Sequence, residues 1–461
     1  MYYSRIIVAI ILIIIAYTTT ITVSSCANIV PPVGGSKDST APTLLKASPI
    51  NNTLNNTNRT ISFDFDEYVE LEDAANNITI SPLPNITPTI TSKLRNVTIK
   101  LKDSLQANTT YTITINGAIK DVNEGNKLNN FKYTFSTGSY IDSNTLSGTV
   151  IQASTGKVDS TLIVMLHTSS LDSAVVKLRP QYTTTVKADG SFTFNNLPAK
   201  PYYIYALKDE GNQKKYYSTK QAFAYNNTSV SAANNTADIK LYTYEQATTA
   251  TPVADKPNTA ERLRVTTSAN AGNQDILTPL TLTYNKALKS VDTTKIKLTD
   301  TTYNTKYAIT IAYDSITKSY IITTKWIPAT MYRLVVFKEF AKDDKGNYLP
   351  KTDTLKFSTK AATDYGKVTV RFNNLNLAAN NVLQLIQSER IVQAYPITGL
   401  KLTIAQLLPG EYTLRLLADD NRNGVWDTGN FFGIKKQPEI VKDLNKKITI
   451  KADWDNEVDV D

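Results

Sequence analysis

The feature that most constrains this chain is a two-residue alternation of apolar and polar side chains that recurs along most of its length. Ile61, Phe63 and Phe65 alternate with Ser62 and Asp64; Tyr111, Ile113 and Ile115 alternate with Thr112 and Thr114; Tyr133 and Phe135 alternate with Thr134 and Ser136. A side chain every second residue on one face is the period of a strand with one buried and one wet surface. Helical spacing of Leu is hard to find, while Thr, Asn, Tyr and Ile dominate, as strands favour. Short alternating runs separated by turn residues predict an all-β chain of sandwiches.

The order of the runs repeats. Leu280, Leu282 and Tyr284 stand to the second half as Ile61, Phe63 and Phe65 stand to the first, and Tyr332 to Phe337 answers Tyr111 to Ile115. Turn residues follow in both, Asp121 to Asn126 and Asp343 to Asn347, then closing strands Tyr133 to Thr137 and Leu355 to Thr359. Between them lies a second kind of unit. It opens at Leu146 to Val150, runs through the apolar stretch Leu162 to His167, and carries Asp189-Gly190 between alternating strands, a tight hairpin signal because Gly tolerates positive φ. Leu197, Pro198 and Tyr202 in that unit are answered by Leu408, Pro409 and Tyr412 near the end of the chain. The layout is therefore A-B-A-B, and the 461-residue length suits four units at ~100–200 residues per domain.

The A phrases resemble the bacterial Ig-like domain of S-layer proteins, most clearly over 38–138. The B phrases resemble the carboxypeptidase regulatory-like, transthyretin-like sandwich. These resemblances imply tandem Ig-like and transthyretin-like β-sandwiches, at 38–138, 139–250 with its linker, 251–360 and 361–461, and they imply accessory modules with no peptidase residues of their own.

The amino-terminal segment fixes the compartment. Arg5 precedes the eleven-residue apolar run Ile6 to Ala16, and Val23, Ser24 and Ser25 lead to Cys26, the single cysteine of the chain. A basic start, a short apolar middle and small residues at the end are the layout of a secretory signal peptide. The run is short for a bilayer span, which disfavours an uncleaved anchor. The segment is similar to bacterial lipoprotein precursors, which implies a signal peptide at 1–25 cleaved between Ser25 and Cys26, lipidation of Cys26 and membrane attachment through that lipid. Residues 26–37, with Pro31, Pro32, Gly34 and Gly35, propagate neither helix nor ladder and form a tether. No acidic cluster follows Cys26, which turns the expectation toward an outer-membrane protein with a periplasmic face. With Cys26 used for attachment, the exported part has no disulfide and depends on its cores alone. Without residues 1–25, 49 basic side chains stand against 41 acidic ones. That excess is scattered, with no basic stripe interleaved with aromatics, so nucleic acid is not an expected partner.

The sharpest local motif is the run from Asp419 to Asn430. Oxygen side chains at Asp419, Asn421 and Asn423, Gly424 at the sixth place, the Val425 carbonyl at the seventh and Asp427 at the ninth reproduce most of a calcium loop. Asn430 stands where a bidentate Glu belongs, and Glu439 is the nearest replacement. Two readings stand: a Ca2+ site, or a polar hairpin turn whose Asn and Gly serve backbone geometry. The matching segment from Lys208 to Lys215 has lost the spacing and gained cations.

Asp64, Asp66, Glu67, Glu70, Glu72 and Asp73 crowd one stretch, as the carboxylate pair of a glycoside hydrolase would. The repeat has no acids at the matching Tyr284, Asn285 and Lys286, which favours a solvated strand edge. His167 is the single histidine, so zinc bound by His and Cys is excluded and a structural or surface role is expected. Clustered tyrosines, Tyr202, Tyr203, Tyr205, Tyr216 and Tyr217, could stack on sugars or simply fill strands. The sequence thus points to a non-catalytic envelope lipoprotein serving as spacer or docking body for an envelope protein. A carbohydrate-binding or adhesion protein, with calcium at the Asp419 loop, is the alternative, and a carboxylate-dependent hydrolase the least favoured reading.

Overall fold

In a computed structural model the described residues are 2–22, 37–246, 262–269, 272–315 and 317–460. They divide into two compact units, Met1–Ile141 and Asp142–Asp461. Ser25, Cys26 and the tether as far as Ser36 lie outside the described residues.

The first unit opens with a helix, Tyr2–Thr22, whose Ile and Leu side chains stand exposed. Among the described residues no helix is long and apolar enough to cross a membrane. The rest of the unit is a sandwich. One sheet runs Leu44–Ser48, Thr60–Phe65, Asn96–Lys100, Thr89–Lys93 in spatial order; the other runs Ile78–Ser81, Thr110–Ile115, Phe131–Ser136. The alternation read from the sequence does the work here. Ile61, Phe63 and Phe65 point inward from one sheet and meet Ile113, Tyr133 and Phe135 of the other in one buried cluster. Phe63 meets the Tyr133 ring edge-on at 5.1 Å, and Tyr111 stacks on Phe135 at 5.1 Å. A short ribbon, Val69–Leu71 with Ile119–Asp121, closes one side.

Three sandwich cores of the second unit lie in successive stretches of chain. In the first stretch Asn144–Gln152 is the centre of a three-stranded sheet, antiparallel to Ser191–Leu197 and parallel to Ile239–Thr243. Its facing sheet runs Tyr182–Thr185, Leu162–His167, Pro201–Lys208, Phe223–Tyr225. In the last stretch Gly366–Phe372 lies antiparallel to Lys401–Leu407 and parallel to Asp455–Val460. The facing sheet there runs Arg390–Pro396, Asn381–Gln387, Gly410–Ala418, Ile440–Ile450, the same topology as the first. The middle stretch repeats the plan of the Ig-like sandwich, with a sheet of order Val265–Thr267, Leu280–Tyr284, Ser319–Thr323, Thr310–Asp314 and a ribbon of Leu288–Val291 with Ala341–Asp343. The all-β architecture and the alternation of two sheet plans follow the order of the sequence phrases.

Candidate functional site

The strand Leu162–His167 is apolar on both faces, and this decides how the second unit is assembled. Leu162, Val164 and Leu166 point into the sandwich. Met165 points out, and with Tyr205, Leu207, Phe223, Tyr225 and Tyr244 it forms an aromatic outer face on the same sheet. A strand sheet with two apolar faces must be covered on both. The cover comes from the far end of the chain.

The segment following Gly410–Ala418 crosses onto this face. Phe431, 1% exposed, lies with its ring 4.9 Å from Tyr225, 5.1 Å from Phe223 and 5.8 Å from Tyr205. Phe432 stacks on Tyr216 at 6.0 Å. Polar contacts surround the rings. The Tyr225 hydroxyl donates to the Asn430 carbonyl at 3.0 Å, Gln246 Nε2 donates to Asn430 Oδ1 at 2.9 Å, and Gln437 Nε2 donates to the Tyr225 carbonyl at 3.1 Å. Lys435 pairs with Asp172 at 2.5 Å. A second seam forms beside it, where Val441 N donates to the Ala153 carbonyl at 2.8 Å. Two glycines permit the approach: a Cβ on Gly156 would come within 2.5 Å of Asp443 N, and one on Gly429 within 2.7 Å of the Tyr244 ring. The sequence reading missed this interface. Its signals were the two-faced run Leu162–His167 and the adjacent Phe431 and Phe432 in an otherwise polar loop.

The five residues read as a calcium loop belong to the same segment, and the structure brings them together. Asp419 accepts Asn423 N on Oδ1 at 3.1 Å and Gly424 N on Oδ2 at 2.6 Å. Asn421 Oδ1 accepts Asn423 N at 3.0 Å, and Asn423 Oδ1 accepts Val425 N at 2.7 Å. The Asp427 carboxylate receives the Asn421 amide and stands 3.5 Å from the Lys436 ammonium. Glu439, 2% exposed, accepts Asp420 N at 3.0 Å and Asp427 N at 2.9 Å, and its carbonyl accepts the Trp426 indole at 2.7 Å. The oxygens therefore accept N–H donors of the loop itself, as in a hydrogen-bonded turn. Among the described residues no group of three or more His, Cys, Asp or Glu is placed to hold a metal.

The same turn occurs elsewhere without calcium spacing. Asp121, Asp209 and Asp300 each stand at a strand end and accept the amide four residues on with Oδ1 and the amide five residues on with Oδ2. Against a burial penalty, hydrogen bonds from Thr305 and Thr302 hold Asp300 down to about 2. A carboxylate just past a strand end satisfies amides that the ladder has released. Asp419 does this work too.

The other candidates resolve individually. Glu70 and Glu72 pair with Lys120 at 3.0 and 2.9 Å, Glu72 also pairs with Lys127, and these lysines hold Glu72 down to about 2. Asp64 accepts the Asn96 amide at 2.7 Å, and Asp66 accepts Thr43 N at 2.8 Å. The acids thus serve a ribbon and strand edges. Tyr202, Tyr205 and Tyr216 are buried, which removes them as a sugar platform, while Tyr217 is exposed. His167 is fully buried, so its role is structural and the surface alternative falls. It meets Tyr205 edge-on at 5.6 Å, and neither ring nitrogen has a hydrogen-bond partner. Burial pushes its pKa down to about 4.

Residues 38–137 match the family described as bacterial Ig-like domain. No curated protein matches the chain. Among solved structures the chain is similar to the Bacillus anthracis TIE protein, at 9% identity over 93% of this chain and 76% of that one, with a TM-score of 0.17. It is also similar to the N-terminal part of the bacterial S-layer protein SbsC, at 17% identity over 42% of each chain and a TM-score of 0.16. A third likeness is to BcpA, the major pilin subunit of Bacillus cereus, at 8% identity over 69% of this chain and 99% of that one, with a TM-score of 0.16.

Two outcomes are expected from this geometry. Between pH 6.5 and about 4 the unfolded chain protonates its histidine while the folded chain keeps His167 neutral. Stability should therefore be full above pH 6.5 and fall by a few kcal/mol on the way to pH 4. Urea unfolding of the protein and of a His167→Gln variant across this window checks it: the variant should lack that part of the pH dependence, whatever its absolute stability. For the Asp419 loop, an ion bound at ~10 μM would add about 2.7 kcal/mol at 1 mM calcium. Thermal unfolding with 1 mM calcium chloride or with chelator should give the same midpoint, and an upward shift with calcium would restore the ion reading.

Proposed function

We propose that the chain is a non-catalytic lipoprotein of the cell envelope, attached through lipid on Cys26 and serving as a spacer or docking body for another envelope protein. The observation that carries this reading is the insertion of Phe431 into the outer aromatic face of the sheet containing Leu162–His167. Tandem sandwiches joined only by linkers would bend at every junction. Here the first and last stretches of the second unit are fastened to each other by a buried ring, a ring of polar bonds and a backbone seam, which suits a body that must hold its shape. Of the acids that could have served hydrolysis, Asp64, Asp66, Glu70 and Glu72 are engaged by lysines and amides. The Ig-like match over 38–137 supports a module of the kind reused in exported proteins. The B stretches, 139–250 and 361–461, are assigned to the carboxypeptidase regulatory-like class on their sequence phrases, and their shared topology supports the assignment. The location that suits the tether is the outer membrane with the body on the periplasmic side.

Attachment and rigidity are tested separately. Metabolic labelling with a palmitate analogue should mark the wild-type protein and leave a Cys26→Ala variant unmarked; label persisting in the variant would sink the lipid claim. Removing the inserted ring by Phe431→Ala should weaken the junction by about 3–5 kcal/mol. Small-angle scattering should then show an expanded particle, and a protease should gain access to the 425–437 segment, while the four cores keep their circular dichroism. An unchanged scattering profile would show that the ring does not hold the body together.

A further inference from the structure

Beside the backbone seam, the outer face of the sheet in the last stretch carries a groove of about 410 Å3. Its walls come from two stretches of chain. Lys157 enters from the turn that seats Gly156, Glu389 from the hairpin between Asn381–Gln387 and Arg390–Pro396, Thr413 and Arg415 from Gly410–Ala418, and Asp443 and Lys447 from Ile440–Ile450. Apart from Ile386 the lining is polar or charged, with Ser388 and Asn445 completing it.

Arg415 is the unusual member. Its side chain is 6% exposed, yet Nη2 lies 3.5 Å from Glu389 Oε2 and Nε lies 3.9 Å from Asp443 Oδ2. Nε makes no hydrogen bond. A buried guanidinium that served only as an ion-pair partner would sit at ~2.7–2.9 Å from its carboxylates, often with two parallel bonds. Here both carboxylates stand back and one edge of the fork is unmet. Glu389 is drawn away by Lys157, whose ammonium lies 3.0 Å from each of its oxygens, and its side chain is 75% exposed. Three cations, Lys157, Arg415 and Lys447, face two acids, Glu389 and Asp443, so the groove has one positive charge in excess.

An unmet fork inside a positive groove calls for a planar anion, and a carboxylate fits Arg415 edge-on. The remaining lining narrows the class. Thr413, Ser388 and Asn445 offer hydroxyl and amide groups around the carboxylate position, which suit a ligand rich in hydroxyls. Ile386 is the single apolar residue of the lining, and the charged and hydroxyl groups around it favour a polar ligand over an acyl chain. We propose that this groove binds an acidic sugar residue of a saccharide, its carboxylate held by Arg415 in place of Glu389 and its hydroxyls by Thr413, Ser388 and Asn445. Glu389 acts as the internal stand-in for that carboxylate, and it swings out on its hairpin when the ligand enters. The spacer reading does not require this site, and the lipid and Phe431 experiments are unaffected by its failure.

The test is isothermal titration of the full chain, in non-ionic detergent, with a disaccharide ending in glucuronic acid, the matching disaccharide ending in glucose, and sodium acetate. The acidic disaccharide should bind; the neutral one, which lacks the charged partner of Arg415, and acetate, which lacks the hydroxyls that meet Thr413, Ser388 and Asn445, should each bind at least tenfold more weakly. Arg415→Gln should weaken the acidic disaccharide by roughly tenfold or more. Because that variant alters a buried residue, Glu389→Gln provides the independent arm: it removes an exposed competitor and should strengthen binding by roughly threefold or more. A purely structural Arg415–Glu389 pair gives no such gain. Equal binding of the neutral disaccharide or of acetate, no binding of the acidic one, or an affinity unchanged or reduced in Glu389→Gln would each overturn the proposal.

Discussion

The second unit depends on one constraint: a sheet with two apolar faces cannot be left with one of them in water. The sheet containing Leu162–His167 packs Leu162, Val164 and Leu166 against its own sandwich and turns Met165, Tyr205, Phe223 and Tyr225 outward. Burying a side chain the size of Phe431 contributes about 2–3 kcal/mol, and the rings it meets gain as much again from the water they lose. No disulfide is available among the described residues, so this burial and the polar bonds around it join the first and last stretches of the unit. The two glycines matter for the same reason. Gly156 and Gly429 stand where the backbones or rings come closer than any Cβ allows, so the junction is built on contact and not on a flexible linker.

Strand alternation made the cores legible before any coordinates. Ile61, Phe63, Phe65, Ile113, Tyr133 and Phe135 fall on one buried face because period two leaves no other choice. The repeated phrases marked strands for a similar reason, since each carries the period-two alternation of one buried face. The junction was not legible in this way. A run such as Leu162–His167 reads equally as a strand buried within one sandwich or as one shared between two, and nothing local to Phe431 says which face, more than 200 residues earlier in the chain, it covers. His167 illustrates the same limit: its position at the end of an apolar run allowed a surface role, and in the fold it is fully buried against Tyr205.

The Asp419 loop shows how one pattern of residues can serve two ends. A calcium loop and a strand-end turn both need an acidic first residue, oxygens at short intervals and a Gly where the backbone turns back. In the turn seen here the oxygens accept backbone amides of the loop. At Asp419 they point at the amides of Asn423 and Gly424, as they do in the loops of Asp121, Asp209 and Asp300, none of which has the spacing of a cation site. The turn is a general device of this chain for ending a strand, and in the last stretch it has an added use. By folding back on Asp419 and resting on Glu439, the loop sets Trp426 and Phe431 at the height needed to reach the neighbouring sheet.

Charge and apolar surface are thereby kept apart along one junction. The aromatic insertion keeps its charges at the rim, where Lys435 lies over the Phe431 ring and pairs with Asp172, and burial holds His167 neutral near pH 7. The seam beside it does the reverse, gathering Lys157, Glu389, Arg415 and Asp443 at an opening where water and solutes have access. A buried ion pair contributes little to stability once desolvation is subtracted, and a well-packed apolar contact would hold the same two stretches together at least as well. The stand-off distances at Arg415 make the structural value of the pair lower still. Joining the stretches is accounted for by Phe431 and the Val441 to Ala153 bond, so a buried guanidinium with an unmet edge is explained better by what enters the groove than by what the groove holds together.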